Sequence, residues 1–259
     1  MHVKAAGQRI DYDAGGTGRP LLAVHGWTSD RHTFMALRPH LEASYRVLAP
    51  DLPGFGASPA PDDGPVTLAY YADLMAAFLA TLQIEEPVLL MGHSMGAQIA
   101  LEMIAARPDA YTGAVLLDPA PIVWTDKMRC GMEATRAGLG RDPQATLTAL
   151  RDKAFFRGHE PDWLRDEIAA TAAAADPAVT RAAFDAMLDW DGPAALARAA
   201  ARPLLYVGAD RPQNREQDIR AHAPAIHWGR TVGHGHFNHV LAAEQVLAMI
   251  DTFRTLTRV

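Results

Sequence analysis

Over the first 120 residues, short apolar runs alternate with longer stretches in which apolar residues return every three or four positions. Runs of four to eight apolar residues bounded by turn formers read as buried strands, and a three-to-four repeat reads as one helical face. The runs predict strands at Gln8–Tyr12, Pro20–Val24, Tyr45–Ala49, Pro87–Met91 and Ala114–Leu117. Within Thr67–Leu82, residues such as Leu68, Tyr71, Met75, Phe78 and Leu82 fall on one side of a helix. Met95–Ala106 predicts a second helix, stopped at Arg107-Pro108 because the residue before proline avoids helical geometry. Strands alternating with helices imply an α/β fold, a mostly parallel central sheet flanked by helices.

From about Pro121 to Arg202 the strand pattern stops and an alanine-rich helical pattern replaces it, broken near Gly138–Pro143, Gly158–Pro161, Asp176-Pro177 and Gly192-Pro193. Strand pattern returns at Leu204–Val207 and Ala225–Val232, and a helix from about Ala243 to Arg254 follows. The expected organisation is a core of residues 1–120 and 203–259 interrupted by a helical cap at 121–202. A chain of 259 residues suits one such core.

Charge removes some partners. Lys plus Arg total 24 against 30 Asp plus Glu, a net charge of -6, and no basic block stands out. A nucleic-acid surface is therefore not expected. No segment approaches the roughly 18 apolar residues of a membrane span, and Met1–Ile10 lacks the apolar run of a signal peptide, so no membrane partner and a cytoplasmic location are expected. Cys130 is the single cysteine and reads as a small buried hydrophobe rather than a nucleophile. Homo-oligomerisation stays open.

The sharpest chemical feature is Met91-Gly-His-Ser-Met-Gly-Ala97, a Gly-x-Ser-x-Gly sequence between a strand pattern and a helix pattern. A serine on so tight a turn is held in a strained conformation, and glycine at 92 and 96 removes side chains that would collide. Ser94 is one of four serines and the only one so flanked. A serine hydroxyl is a weak nucleophile unless a base takes its proton, and histidine, with an unperturbed pKa near 6.5, suits that task. His234-Gly-His-Phe-Asn-His239 has the spacing of a zinc motif with Asn238 in place of its carboxylate, and no histidine or cysteine follows residue 239. A zinc site needs further ligands, so neither metal nor cofactor is expected.

Together with this elbow, His25-Gly-Trp-Thr28, Asp51-Leu-Pro-Gly-Phe-Gly-Ala-Ser58 and Gly235-His-Phe237 resemble landmarks of the α/β-hydrolase superfamily. The resemblance covers nearly the whole chain and is weakest in the insertion, which corresponds to the family's variable cap. It implies Ser94 as nucleophile and His236 as base, with His234 as the rival histidine. It also implies an oxyanion hole built from the backbone N–H groups of Trp27 and Met95, such donors being worth roughly 2.7–4 kcal/mol each. His93 reads as packing beside the elbow.

The acid has two candidates. In the family's commoner arrangement it follows a late strand about nine residues after a proline, but here Asp210 lies seven residues after Pro203. A minority arrangement seats it 24 residues beyond the nucleophile, where Asp118 stands. Asp118 leads and Asp210 remains the alternative.

A serine at the elbow argues against the family's epoxide and halide chemistry, which uses aspartate. The expectation is a serine hydrolase acting on a small-molecule ester or lactone of moderate apolar character. C–C bond hydrolase, thioesterase, perhydrolase or haloperoxidase activity and a weakly catalytic ligand receptor are the alternatives, since the cap sets selectivity. Trp27, Phe55, Trp124, Phe155 and Trp163 are the candidate pocket residues. No Arg or Lys stands in the elbow or oxyanion segments to anchor a strongly anionic substrate.

Overall fold

Leu21, Leu22, Ala23 and Val24 are all buried, because their strand lies mid-sheet with apolar layers on both faces. The computed structural model describes residues 1–62 and 64–259. Its eight strands are β1 (His2–Ala5), β2 (Gln8–Gly15), β3 (Arg19–Val24), β4 (Tyr45–Pro50), β5 (Val88–His93), β6 (Tyr111–Leu117), β7 (Leu204–Gly208) and β8 (His227–Arg230). They form one sheet in the order β1-β2-β4-β3-β5-β6-β7-β8. β2 pairs antiparallel with β1 and β4, and the remaining pairings are parallel.

The two-residue period of the strands sorts the core into two layers. Leu22, Val24, Leu48, Leu90 and Leu116 join one apolar cluster with α2 (Leu68–Thr81) and α3 (Met95–Ala106). Their neighbours Leu21, Ala23, Val47, Leu89, Met91 and Val115 join the other. That second layer is closed by Leu41 of α1 (Arg38–Leu41) and by Val246, Ile250 and Phe253 of α11 (Ala243–Thr257).

Between β6 and β7 lie α4 (Asp126–Leu139), α5 (Pro143–Leu150), a π-helical turn (Arg151–Phe155), α6 (Asp162–Ala174), α7 (Pro177–Asp189) and α8 (Gly192–Ala199). Short helices α9 (Glu216–Arg220) and α10 (Asn238–Leu241) follow. The sequence breaks are helix starts. Asp142, Asp176 and Asp191 accept backbone N–H groups in the first turns of α5, α7 and α8, each with proline just inside the helix. The last helix, α8, leaves this group and packs on α3 beside the sheet, with Leu196 and Ala199 in the core.

Three expectations need correction. β1 carries a single buried residue, Ala5, so no apolar run announced it. β8 is shorter than the predicted Ala225–Val232, and its residues are only partly buried or exposed. Cys130 is exposed, because α4 buries only Leu139 and turns position 130 to solvent.

The loops at the carboxyl ends of the parallel strands gather at one edge, where open α/β sheets bind ligands. Buried polar groups fix their shapes. Asp51 is fully buried and accepts the N–H groups of Arg31 (2.8 Å) and Ala57 (2.7 Å) while pairing with the Arg31 guanidinium. Gly56 has φ +56°, and a side chain there would strike that carboxylate. The Asp176 N–H donates to the Gly54 carbonyl at 2.9 Å, tying the insertion to the same loop.

His25, His93 and His239 are fully buried or nearly so. Burial, opposed by Asp51, lowers the His25 pKa. Burial and the neighbouring His239 and His236 hold His93 well below the usual histidine value. Burial, with His236 adding to it, holds His239 at about 3. The His239 ring lies tilted against His93 (4.2 Å between centroids) and its Nε2 meets Thr33 Oγ1 at 2.8 Å.

A folded pKa below the unfolded value means that the unfolded chain binds more protons, so stability is complete above the unfolded pKa and is lost as pH falls toward the folded one. Urea unfolding between pH 7 and pH 4 is expected to show falling stability with falling pH. His239→Gln should flatten the slope near pH 5 by about 1.4 kcal/mol per pH unit, the value for one proton. An unchanged slope would mean that His239 is not held neutral.

Candidate active site

Ser94 joins β5 to α3 with φ 53° and ψ -115°, a conformation that costs a non-glycine residue energy and persists only when its surroundings enforce it. Its neighbours enforce it. A Cβ on Gly92 would strike the Gly96 carbonyl, and one on Gly96 would strike the Val24 carbonyl at the end of β3. On the facing loop, a Cβ on Gly26 would lie 3.0 Å from Ser94 Cβ. Three glycines thus let the elbow and the loop after β3 meet nearly backbone to backbone.

That facing loop is held from behind by the first residue of its own motif, to which the sequence assigned no role. His25 Nδ1–H donates to the Gly26 carbonyl at 2.8 Å, and its Nε2 accepts the Leu52 N–H at 2.9 Å. Both ring nitrogens are used by the neutral ring, consistent with its lowered pKa. Trp27 follows, its indole N–H donating to the Thr180 carbonyl of α7 at 2.7 Å. Met95 is the first residue of α3, where backbone N–H groups have no partner within the helix.

His236 lies in the loop between β8 and α10 and is almost wholly buried. Its Nδ1–H donates to Asp118 Oδ2 at 2.6 Å. The other oxygen of Asp118 accepts the Ala209 N–H at 3.0 Å, and the residue sits at φ +34° directly after β6. Asp210 is elsewhere: its N–H donates to the His234 carbonyl (2.9 Å) and its side chain accepts the Gly233 N–H (3.3 Å), bracing the loop. His234 is half-buried and does not line the cavity that holds His236. The zinc-like spacing does not converge, since His236 turns to Asp118 and His239 to Thr33. Among the described residues no cluster of His, Cys, Asp and Glu is arranged to hold a metal ion.

Two groups position the His236 backbone. His93 Nε2–H donates to the His236 carbonyl at 3.0 Å, which makes His93 a packing partner. Phe155, at the end of the π-helical turn, accepts the His236 N–H on its carbonyl at 2.9 Å and stacks its ring on the imidazole, 4.5 Å between centroids and 24° between planes. Phe155 was expected as a pocket aromatic; its backbone role had no sequence signal, because a carbonyl is the same in every residue. Gln213, whose amide lies 3.4 Å from His236 Nδ1, and Asn214 were also missed. Asn214 accepts the Ile122 N–H (2.7 Å) and donates to the Pro119 carbonyl (3.0 Å), fixing the segment that follows Asp118.

Ser94 and His236 line one cavity, a tight one with a volume of about 60 Å³. Trp27, Trp124, Phe155, Phe184 and Met187 are among its walls, and no charged side chain lines it. Two expected pocket residues lie elsewhere. Phe55 is buried beneath the loop with its ring edge-on to His25 at 5.9 Å, because the turn at Gly54–Gly56 folds it inward. Trp163 is 54% exposed on α6, facing a separate surface groove shared with Met35.

Comparison with known proteins bears on the family and the fold. Residues 21–249 match the alpha/beta hydrolase family. Lipase LipV of Mycobacterium tuberculosis is 36% identical over 126 residues, 49% of this chain and 46% of its own length. A pimeloyl-[acyl-carrier protein] methyl ester esterase of Neisseria meningitidis is 42% identical over 91 residues, 35% of this chain and 33% of its own. The chain thus spans less than half the length of these curated relatives. A thermophilic esterase from Thermogutta terrifontis has the same fold, with a TM-score of 0.84 at 22% identity over 100% of this chain and 99% of that one. No helix among the described residues is long and apolar enough to cross a membrane. With the elbow, the sheet order and a match over most of its length, the chain belongs to the alpha/beta hydrolase family.

Proposed function

We propose that the protein is a serine hydrolase that cleaves a carboxylic ester or lactone of moderate apolar character through an acyl-enzyme. The observation that carries this reading is the 2.6 Å bond between His236 and buried Asp118, with His236 and Ser94 lining one largely apolar cavity. With Nδ1–H committed to Asp118, the neutral ring presents Nε2 as an acceptor. His236 takes the Ser94 proton as Oγ attacks the carbonyl carbon, and Asp118 stabilises the imidazolium that forms. The Trp27 and Met95 N–H groups hold the oxyanion. His236 then gives its proton to the leaving alcohol, and water repeats both steps on the acyl-enzyme.

The relatives named for lipase and methyl ester esterase activity support an ester substrate. The apolar walls favour an apolar acyl or alcohol group, and within the insertion at 121–202 the segment from α4 to α7 acts as the cap over it. The bond to His236 supports Asp118 in the acid's role, whereas the Asp210 side chain is engaged with Gly233.

Two experiments test the reading. A fluorophosphonate probe is expected to label Ser94, and Ser94→Ala should lose both labelling and turnover of 4-nitrophenyl butyrate; a variant that keeps full turnover removes Ser94 from the chemistry. Asp118→Asn is expected to lower kcat by about 10³- to 10⁴-fold, since the ring would lose the partner that orients it, while Asp210→Asn should lower it by less than about tenfold. Steady-state kinetics giving the opposite ranking would transfer the acid's role to Asp210.

A further inference from the structure

A second groove, between α4, α5 and the π-helical turn, is continuous with the catalytic cavity. The two share Pro121, Trp124, Met132, Leu150, Ala154 and Gln213 in their walls. The groove's volume is about 790 Å³. Small residues shape it. At one end a Cβ on Gly138 would lie 2.7 Å from Thr146 Oγ1, so α4 and α5 touch there and close the groove. Elsewhere along it Gly131, Ala134, Ala145 and Ala149 leave the walls apart, and a Cβ on Gly131 would meet nothing within 4 Å.

Its charge is the unexpected feature. The chain has three lysines, Lys4, Lys127 and Lys153, and two of them line this groove together with Arg141. No aspartate or glutamate lines it. All three cations are exposed. The neighbouring carboxylates are engaged elsewhere: Glu133 pairs with Arg136, Asp152 with Arg165, and Asp142 caps α5. Asp126, in the first turn of α4, lies outside the lining. The Trp124 indole N–H, shared by groove and cavity, has no partner among the described residues. A positive rim above an apolar floor, on a chain of net charge -6, is complementary to an amphiphile whose far end is negative.

We propose that this groove binds the apolar arm of an anionic substrate: an ester cleaved at Ser94 whose arm ends in a carboxylate or phosphate held by Lys127, Arg141 and Lys153. The inference rests on the hydrolase reading above and adds to it the class of substrate. It also explains how a cavity without a charged wall serves an anion, since the charge stays at the rim and only methylenes cross the interior, where an ion would be costly to bury. Lysines on flexible stems suit an anion held in water at variable depth.

The test compares 4-nitrophenyl esters with arms of four to twelve carbons, ending in a methyl, a carboxylate or a phosphate. At low salt kcat/KM for the best anionic arm is expected to exceed that of the neutral arm of equal length by about tenfold, the combined effect of three exposed ion pairs. The ratio should approach one in 1 M salt and in Lys127→Ala/Arg141→Ala/Lys153→Ala, and invert when the three become glutamate. The better of the two anions identifies the headgroup. Gly131→Leu, which fills the floor, should raise KM for the long arms relative to acetate.

Calorimetry on Ser94→Ala supplies an arm that needs no turnover: suberic acid monoamide should bind about tenfold tighter than octanamide, and the triple alanine substitution should erase the difference. Neutral esters cleaved normally with no anion preference at any length, or a preference that survives the triple substitution, would overturn the groove assignment and leave the Ser94 reading standing. Loss of all ester turnover and probe labelling with the calorimetric preference intact would do the reverse. A dimer in sedimentation that Lys127→Glu dissociates would give the groove to a second copy and overturn the assignment.

Discussion

The arrangement around Ser94 depends on a steric constraint: at residues 26, 92 and 96 there is little or no space for a side chain. Because Gly96 lies against the Val24 carbonyl, α3 begins almost in contact with the end of β3, and because Gly26 lies against Ser94, the next loop crosses directly beside the elbow. The positive φ of Ser94 is the conformational cost of this closeness. In return the proposed nucleophile, the first amide of α3 and the loop carrying Trp27 are placed by backbone packing, which is stiffer than placement by side-chain rotamers.

Histidines do unlike work within this small region. His25 uses both ring nitrogens to hold a loop, His93 donates to a backbone carbonyl, His239 packs beneath on Thr33, and His236 alone meets a carboxylate. Burial keeps His25, His93 and His239 from taking up a proton easily, so they add no positive charge beside His236. The Asp118 carboxylate is therefore the charge nearest to the His236 ring, at 2.6 Å. That is the condition under which a carboxylate can orient an imidazole and stabilise its cation.

Where a residue type is itself the cause of local geometry, the sequence disclosed the outcome. Glycines 92 and 96 permit the elbow, Asp-Pro pairs start cap helices, and the alternation of residues 21–24 divides the core. Asp118 was preferred to Asp210 on spacing, and it is Asp118 that reaches His236. What stayed hidden depends on the chain as a whole. β1 forms because an edge strand needs only backbone partners. Phe55 turns inward because of the turn around it, and Trp163 faces water because α6 packs through Leu164 and Ala172 instead. The carbonyl of Phe155 and the amide of Asn214 act through contacts with segments far away in sequence, which no local pattern encodes.

The π-helical turn at Arg151–Phe155 has a mechanical consequence. Such turns insert an extra residue into a helix and shift everything after it, and here the shift delivers Phe155 onto the imidazole as both hydrogen-bond acceptor and stacking plate. The wall of the chamber and the imidazole inside it are therefore clamped to each other. Displacing the Phe155 corner would break the hydrogen bond and the stack together, so the position of the His236 ring is tied to the seating of a segment more than eighty residues earlier in the chain.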